Sequence, residues 1–133
     1  MKSATATVLV AEDEDGVREL AVETLERRGY RVLVASSGEE ALKIAHAYDG
    51  TIHLLISDVV MPGMKGPELA DRLRVFRPGV RVLLMSGYAT DVVTPTDLKE
   101  ATFLTKPFAP ETLGKIVRQI LDVPLSTIPD PRR

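Results

Sequence analysis

The chain has 133 residues, 44% of them hydrophobic and 27% charged, the size and make-up of one ordinary globular domain with its own core. Its 17 basic and 19 acidic side chains leave a formal charge of −2, so no basic excess exists to neutralise phosphates and direct nucleic-acid binding is not expected. The apolar runs are too short to span a bilayer, the first residues carry no apolar leader, and the absence of cysteine removes disulfides and thiolate metal sites, so a cytoplasmic protein without membrane insertion is expected.

After a short extension over residues 1–6, the run TVLVA at Thr7–Ala11 predicts a first strand. Residues 15–28 place Val17, Leu20, Ala21 and Leu25 on one helical face. RVLVA at Arg31–Ala35 predicts a second strand. Ser37 with Glu40 three residues on has the form of a capping box, and Ala41, Leu42, Ile44 and Ala45 supply that helix's apolar side. HLLIS over residues 53–57 predicts a third strand running into Asp58, followed by a loop punctuated by Pro62, Gly63 and Gly66. Leu69, Leu73 and Phe76 mark the next helix, RVLLM over 81–85 the fourth strand, and TFLT over 102–105 the fifth. Between those strands, Thr94-Pro95 and the β-branched residues around them interrupt helix formation, predicting a short or irregular fourth helix over 89–101. Pro110 suits a helix start, and Leu113, Ile116, Val117, Ile120 and Leu121 give the last helix its buried stripe. The tail over 123–133 is expected to be flexible. Strands alternating with helices predict an α/β fold, a doubly wound parallel sheet with one domain over 7–122.

Ligands of such sheets bind beyond the carboxyl ends of the strands, and four of those ends carry reactive groups. The first runs into Glu12-Asp13, the third into Asp58, the fourth into Ser86 and the fifth into Lys106. Singly, each has a bland explanation: Asp13 or Asp15 as a helix cap, Lys106 as a solvated charge, Ser86 as part of a turn. Jointly, they describe a site. Three carboxylates on one edge repel unless a cation joins them, and a hard divalent ion with oxygen ligands, Mg²⁺ or Mn²⁺, fits that charge. Asp58 can then act as a nucleophile toward phosphorus, with Lys106 and Ser86 stabilising the transferred group. His46 and His53 lack partners at ligand spacing and are expected to be structural.

The motifs VLVAEDED, LLISDVVMPGMKG, VLLMSGY and FLTKPF, in this order, closely resemble the receiver domain of two-component response regulators over roughly residues 7–121. The resemblance implies a flavodoxin-like strand order 2-1-3-4-5, for which receivers serve as a standard example. It implies a phosphorylation-controlled switch that takes a phosphoryl group onto Asp58 from a histidine kinase or histidine phosphotransfer domain. It further implies that Asp13, Asp58 and the Val60 backbone carbonyl hold the metal, with Glu12 acting largely through water. Ser86 and Phe103 take the switch positions, and the side chains of Val60 and Tyr88 flank the path of attacking water. The protein would then be no general enzyme, catalysing only its own phosphorylation and dephosphorylation, and its output partner would meet the region of the fourth helix, fifth strand and fifth helix. Ser86 stands where many receivers have threonine, and Phe103 where tyrosine is frequent. The wording MPGMKG and MSGY resembles receivers attached to hybrid histidine kinases.

Two other readings compete. Asp13 after a hydrophobic strand, with Ser86 and Lys106, resembles a haloacid-dehalogenase-like phosphohydrolase, but the acidic pair needed after the lysine is missing, with only isolated Glu111, Asp122 and Asp130 remaining. A receiver-like binding module that has lost phosphorylation would not need Asp13, Asp58, Ser86 and Lys106 intact.

Overall fold

Branching at Cβ crowds a helix and packs well on a pleated surface, so the Val- and Ile-rich runs become strands. The structure, a computed structural model, describes residues 5–87 and 101–122. The runs form β1 (Thr7–Ala11), β2 (Arg31–Ala35), β3 (Leu54–Asp58), β4 (Arg81–Ser86) and β5 (Ala101–Thr105). Between and after them lie helices α1 (Asp15–Arg27), α2 (Gly38–Ala47), α3 (Gly66–Phe76) and α4 (Pro110–Asp122). All strand pairs are parallel and the order is β2-β1-β3-β4-β5, as expected. The fourth helix predicted over 89–101 falls outside the described residues except for Ala101, which opens β5. The predicted tail over 123–133 and residues 1–4 of the predicted extension also lie outside them.

Side chains alternate across a strand, so each central strand feeds two cores. Val8 and Val10 of β1 point to a cluster with Ala21 and Leu25 of α1 and Leu113 and Val117 of α4. Leu9 and Ala11 point the other way, to Ala41 and Ala45 of α2 and Leu69 and Leu73 of α3. β1 and β3 are buried along their whole length, while the edge strands β2 and β5 are partly open. Among the described residues, no helix is long and apolar enough to cross a membrane.

Small departures from the predicted boundaries have local causes. α1 stops at Arg27 because the N–H of Arg28 turns back to the Leu25 carbonyl (3.0 Å) and Gly29 adopts φ +91°, a left-handed stop. β3 begins and ends one residue later than predicted. His53 ahead of it holds the start of β1, its Nδ1 accepting from the Thr7 N–H at 2.9 Å, and Asp58 remains in the ladder opposite Met85. At α2 the Ser37 hydroxyl accepts from the Glu40 N–H at 3.1 Å, while the Glu40 carboxylate reaches one residue further back than a capping box requires, to the N–H and hydroxyl of Ser36.

The loop after β3 folds back tightly. Gly63 has φ +80°, and the Gly66 N–H donates to the Val59 carbonyl at 2.9 Å. A side chain on Gly66 would collide with the backbone carbonyl oxygen of Asp58. Only glycine lets α3 start this close to the end of β3. Gly66→Ala should therefore lower the urea midpoint, at a cost of about 1–3 kcal/mol typical of an overpacked interior; an unchanged midpoint would mean the loop relaxes freely.

Candidate functional site

Register brings the reactive strand ends together. Ala11 lies opposite Ser57, so Glu12 and Asp58 emerge side by side; Asp58 lies opposite Met85, and Ser86 opposite Thr105. Lys106 follows at once, its N–H donating to the Ser86 carbonyl at 2.9 Å. The Lys106–Pro107 peptide is cis. Backbone bonds from the Val59 N–H to Met85 (2.8 Å) and from the Glu12 N–H to Ala35 (3.1 Å) extend the ladders past the strands and fix the main chain just after Asp58 and at Glu12.

Lys106 organises the site. Its ammonium donates to Asp58 Oδ1 at 2.9 Å, to Glu14 Oε1 at 3.1 Å and to Glu12 Oε1 at 3.4 Å. Glu12 is 0% and Asp58 3% exposed, so both carboxylates are almost wholly shielded from bulk water. Burial pushes the Asp58 carboxyl up to about 8, helped by a hydrogen bond and repulsion from Glu12 and opposed by Lys106. For Lys106, burial pulls downward, but the hydrogen bond and charge of Asp58, with Glu14 and Glu12 behind them, win and hold the ammonium above its ordinary value. Lys106 is a fixed positive charge; Asp58 is the group whose state can change.

Glu12, Asp13 and Asp58 each bring one carboxylate oxygen to within 4.8 Å of the others. An all-oxygen set of this charge, two members buried and one open to solvent, suits a hard divalent cation that keeps some of its water. The site opens into a cleft of about 490 Å³ lined by Asp13, Glu14, Asp58, Val60, Gly87 and Lys106. Val60 is half-exposed there, 51%, two residues past Asp58. Ser86 ends β4 half-buried, and Phe103 packs against the core on the α2/α3 face. Tyr88, expected to flank the water path, lies outside the described residues.

The alternative of a helix cap at Asp13 or Asp15 does not hold. Glu14 occupies the cap of α1 without a side-chain cap bond, and Asp15 pairs with Arg18 at 2.5 Å. The histidines are structural as expected: besides the His53 bond to β1, His46 stacks on Phe76 with ring centroids 4.0 Å apart.

Three participants went unread in the sequence. Glu14 joins Lys106, Arg18 bonds the Glu12 carbonyl at 2.9 Å, and the Ser57 hydroxyl donates to the Asp58 carbonyl at 2.9 Å. Arg18 could have been found, since it stands one helical turn past the acidic run. Glu14 offers no local signal, because its partner lies 92 residues away.

Comparison with known proteins identifies the family. Residues 8–118 match the family described as the response regulator receiver domain. The chain is 44% identical over 123 residues to the sensor kinase CckA of Brucella abortus, covering 90% of this chain and 13% of that protein. It is 31% identical to the response regulator receiver protein CpdR of Brucella abortus, covering 86% of this chain and 95% of that one. Among solved structures, the receiver domain of the hybrid histidine kinase CckA aligns with a TM-score of 0.75 at 46% identity, over 87% of this chain and 99% of that one.

A carboxyl whose folded value is raised favours the native state while protonated. That stabilisation is complete below the unfolded value near 3.9 and is lost as pH rises through about 8. In chelator-treated protein the melting temperature should fall between pH 5 and 8, and Asp58→Asn should flatten the fall. Equal slopes in the two proteins would remove Asp58 as its source.

Proposed function

The chain belongs to the response regulator receiver domain family, and on that footing we propose that Asp58 accepts a phosphoryl group from a phosphohistidine, borne by a histidine kinase or a histidine phosphotransfer domain. The observation that carries this reading is the buried Asp58 carboxylate at the foot of an open cleft, 2.9 Å from the Lys106 ammonium and beside two further carboxylates. Glu12, Asp13 and Asp58, with the backbone carbonyl of Val60, would hold Mg²⁺ or Mn²⁺. When bound, that cation offsets the negative charge of the acidic cluster and of the transferred oxygens.

In the transfer, an Asp58 carboxylate oxygen forms a bond to phosphorus as the P–N bond breaks, and the bonding pair returns to the imidazole nitrogen. The carboxylate must be ionised to attack. Burial and Glu12 oppose ionisation while Lys106 supports it, so added positive charge in the site activates Asp58. Lys106, pinned by its contacts, then donates to a phosphoryl oxygen, and the Ser86 hydroxyl to another. Positioning and charge supply most of the catalysis in such transfers, so no separate acid or base is needed. Ser86 drawing toward the phosphoryl group would leave room for Phe103 to change rotamer, passing the event to the face around β5 and α4 where an output partner binds. Residues 7–122 form the working unit, cytoplasmic and acting catalytically on itself alone.

Lys106 donates to Asp58, the acceptor in this reading, rather than serving Asp13 as the nucleophile of a dehalogenase-like hydrolase.

Incubation with a small phosphoryl donor and Mg²⁺ should place one phosphoryl group on Asp58, as mapped by mass spectrometry. Asp58→Asn should abolish it, and Lys106→Ala should slow it on the order of a hundred-fold. Millimolar Mg²⁺ should raise the melting temperature of the native protein, and less so that of Asp13→Asn, because a ligand of the folded state stabilises by mass action. A phosphoryl group on Asp13, or none at all, would defeat the reading.

The phosphorylated state should be long-lived. Hydrolysis needs a water in line behind phosphorus, and Val60, on the cleft wall, has no polar atom in its side chain to orient one. Val60→Asn and Tyr88→Glu should each speed decay of the Asp58 phosphoryl group several-fold; unchanged decay in both would show that other features set the lifetime.

A further inference from the structure

Three carboxylates share the Lys106 ammonium, and they are not equivalent. An ammonium has three protons to donate, and Asp58, Glu14 and Glu12 are its three acceptors at 2.9, 3.1 and 3.4 Å. Glu12 is fully buried, and its second oxygen is held by the Glu14 N–H at 3.0 Å. The Asp58 side chain is only 4% exposed, on a main chain that sits in the strand ladder. Neither can move away. The Glu14 side chain is 63% exposed, while its main chain is fixed by that N–H and by its carbonyl, which accepts from the Arg18 N–H at 2.9 Å. It can swing between Lys106 and water without disturbing the backbone.

A phosphoryl group on Asp58 needs an N–H hydrogen bond from Lys106, and one of the present acceptors must give up its share. Glu14 is the one free to leave. Its carboxylate also lines the cleft through which the phosphoryl group enters, where it repels an anionic donor. Resting on the function proposed above, we propose that Glu14 is a positioning residue that holds Lys106 in the unphosphorylated protein and brakes phosphoryl acceptance until it lets go. An exposed ion pair is a weak contact, so the brake is modest.

The test uses the full chain at saturating Mg²⁺ with phosphoramidate as donor. Its phosphoryl group passes to an Asp58 oxygen, and the nitrogen leaves with the bonding pair and a solvent proton as ammonia. Phosphorylation of Asp58 is followed by mass spectrometry in native protein, in Glu14→Gln and in Glu14→Asp. Gln removes the charge; Asp keeps it but draws it back by one methylene, out of reach of Nζ. Both variants should accept the phosphoryl group roughly two- to five-fold faster than native protein, the range of an exposed ion pair. Both should also bind beryllium trifluoride, a phosphoryl mimic, more tightly by a similar factor. The advantage of the Asp variant should persist at about 0.5 M salt, where long-range charge effects are screened. If Glu14→Asp behaves as native while Glu14→Gln is faster, charge alone acts and the contact with Lys106 is not the cause. Native rates in both variants overturn the proposal outright while leaving the receiver function intact. No phosphoryl group on Asp58 of the native protein would overturn that function, and this proposal with it.

Discussion

Two carboxylates are buried side by side at the end of a parallel sheet, and nearly everything around them follows from that. Glu12 and Asp58 are almost wholly shielded from water, and burial together with Glu12 raises the cost of charge on Asp58. The arrangement persists because Lys106, arriving from the far end of the chain, places its ammonium between them. A buried pair of this kind is weak support for stability in itself, since desolvation offsets much of the attraction. Its use lies in leaving the site short of positive charge. Three carboxylates and one ammonium form a set that, on the function proposed above, a cation would complete and a phosphoryl group would then rearrange.

The scaffold around the pair is built to limit its freedom. Register aligns Glu12 with Asp58 and sets Ser86 and Lys106 one step beyond, so the site is a property of how β1, β3, β4 and β5 pair. The Asp58 main chain is held from several directions: the Ser57 hydroxyl on its carbonyl, the ladder to Met85, and the close approach of Gly66 at the start of α3. Arg18 ties the Glu12 carbonyl to α1. What stays adaptable is on the rim: Asp13, Glu14 and Val60, all exposed to the cleft. Pre-organised charges with a few exposed neighbours suit the proposed reaction, which is governed by positioning.

Opposite the site, at the amino ends of the strands, the interactions serve the fold instead. Arg77, just past α3, donates to the carbonyls of Ala45, Tyr48 and Gly50, satisfying the end of α2 and favourably placed against its dipole. Arg81 donates to the Ile120 carbonyl near the end of α4 at 2.5 Å, and His53 joins the start of β3 to that of β1. Stability and the proposed chemistry thus occupy opposite edges of one sheet, so substitutions at Arg77 or Arg81 should bear on folding, while those at the carboxyl edge should, on the proposed function, bear on the switch.

Sequence alone determined the order of the described strands and helices, the doubly wound arrangement and the identity of the residues at the carboxyl ends of the strands, because periodicity and turn residues act between near neighbours. Glu12, Asp13, Asp58, Ser86 and Lys106 could be singled out since each follows a recognisable strand. It left one boundary each of α1, β4 and β5 and both of β3 off by a residue; Gly29 decides the stop of α1 and the ladder to Met85 that of β3. Only the tertiary structure decided which carboxylates meet Lys106, that Glu14 is among them, and that Asp58 is buried deeply enough to raise its pKa. Those facts depend on strand order and register, which join residues up to 94 positions apart. No local pattern encodes a contact at that separation; it exists only once the sheet has formed.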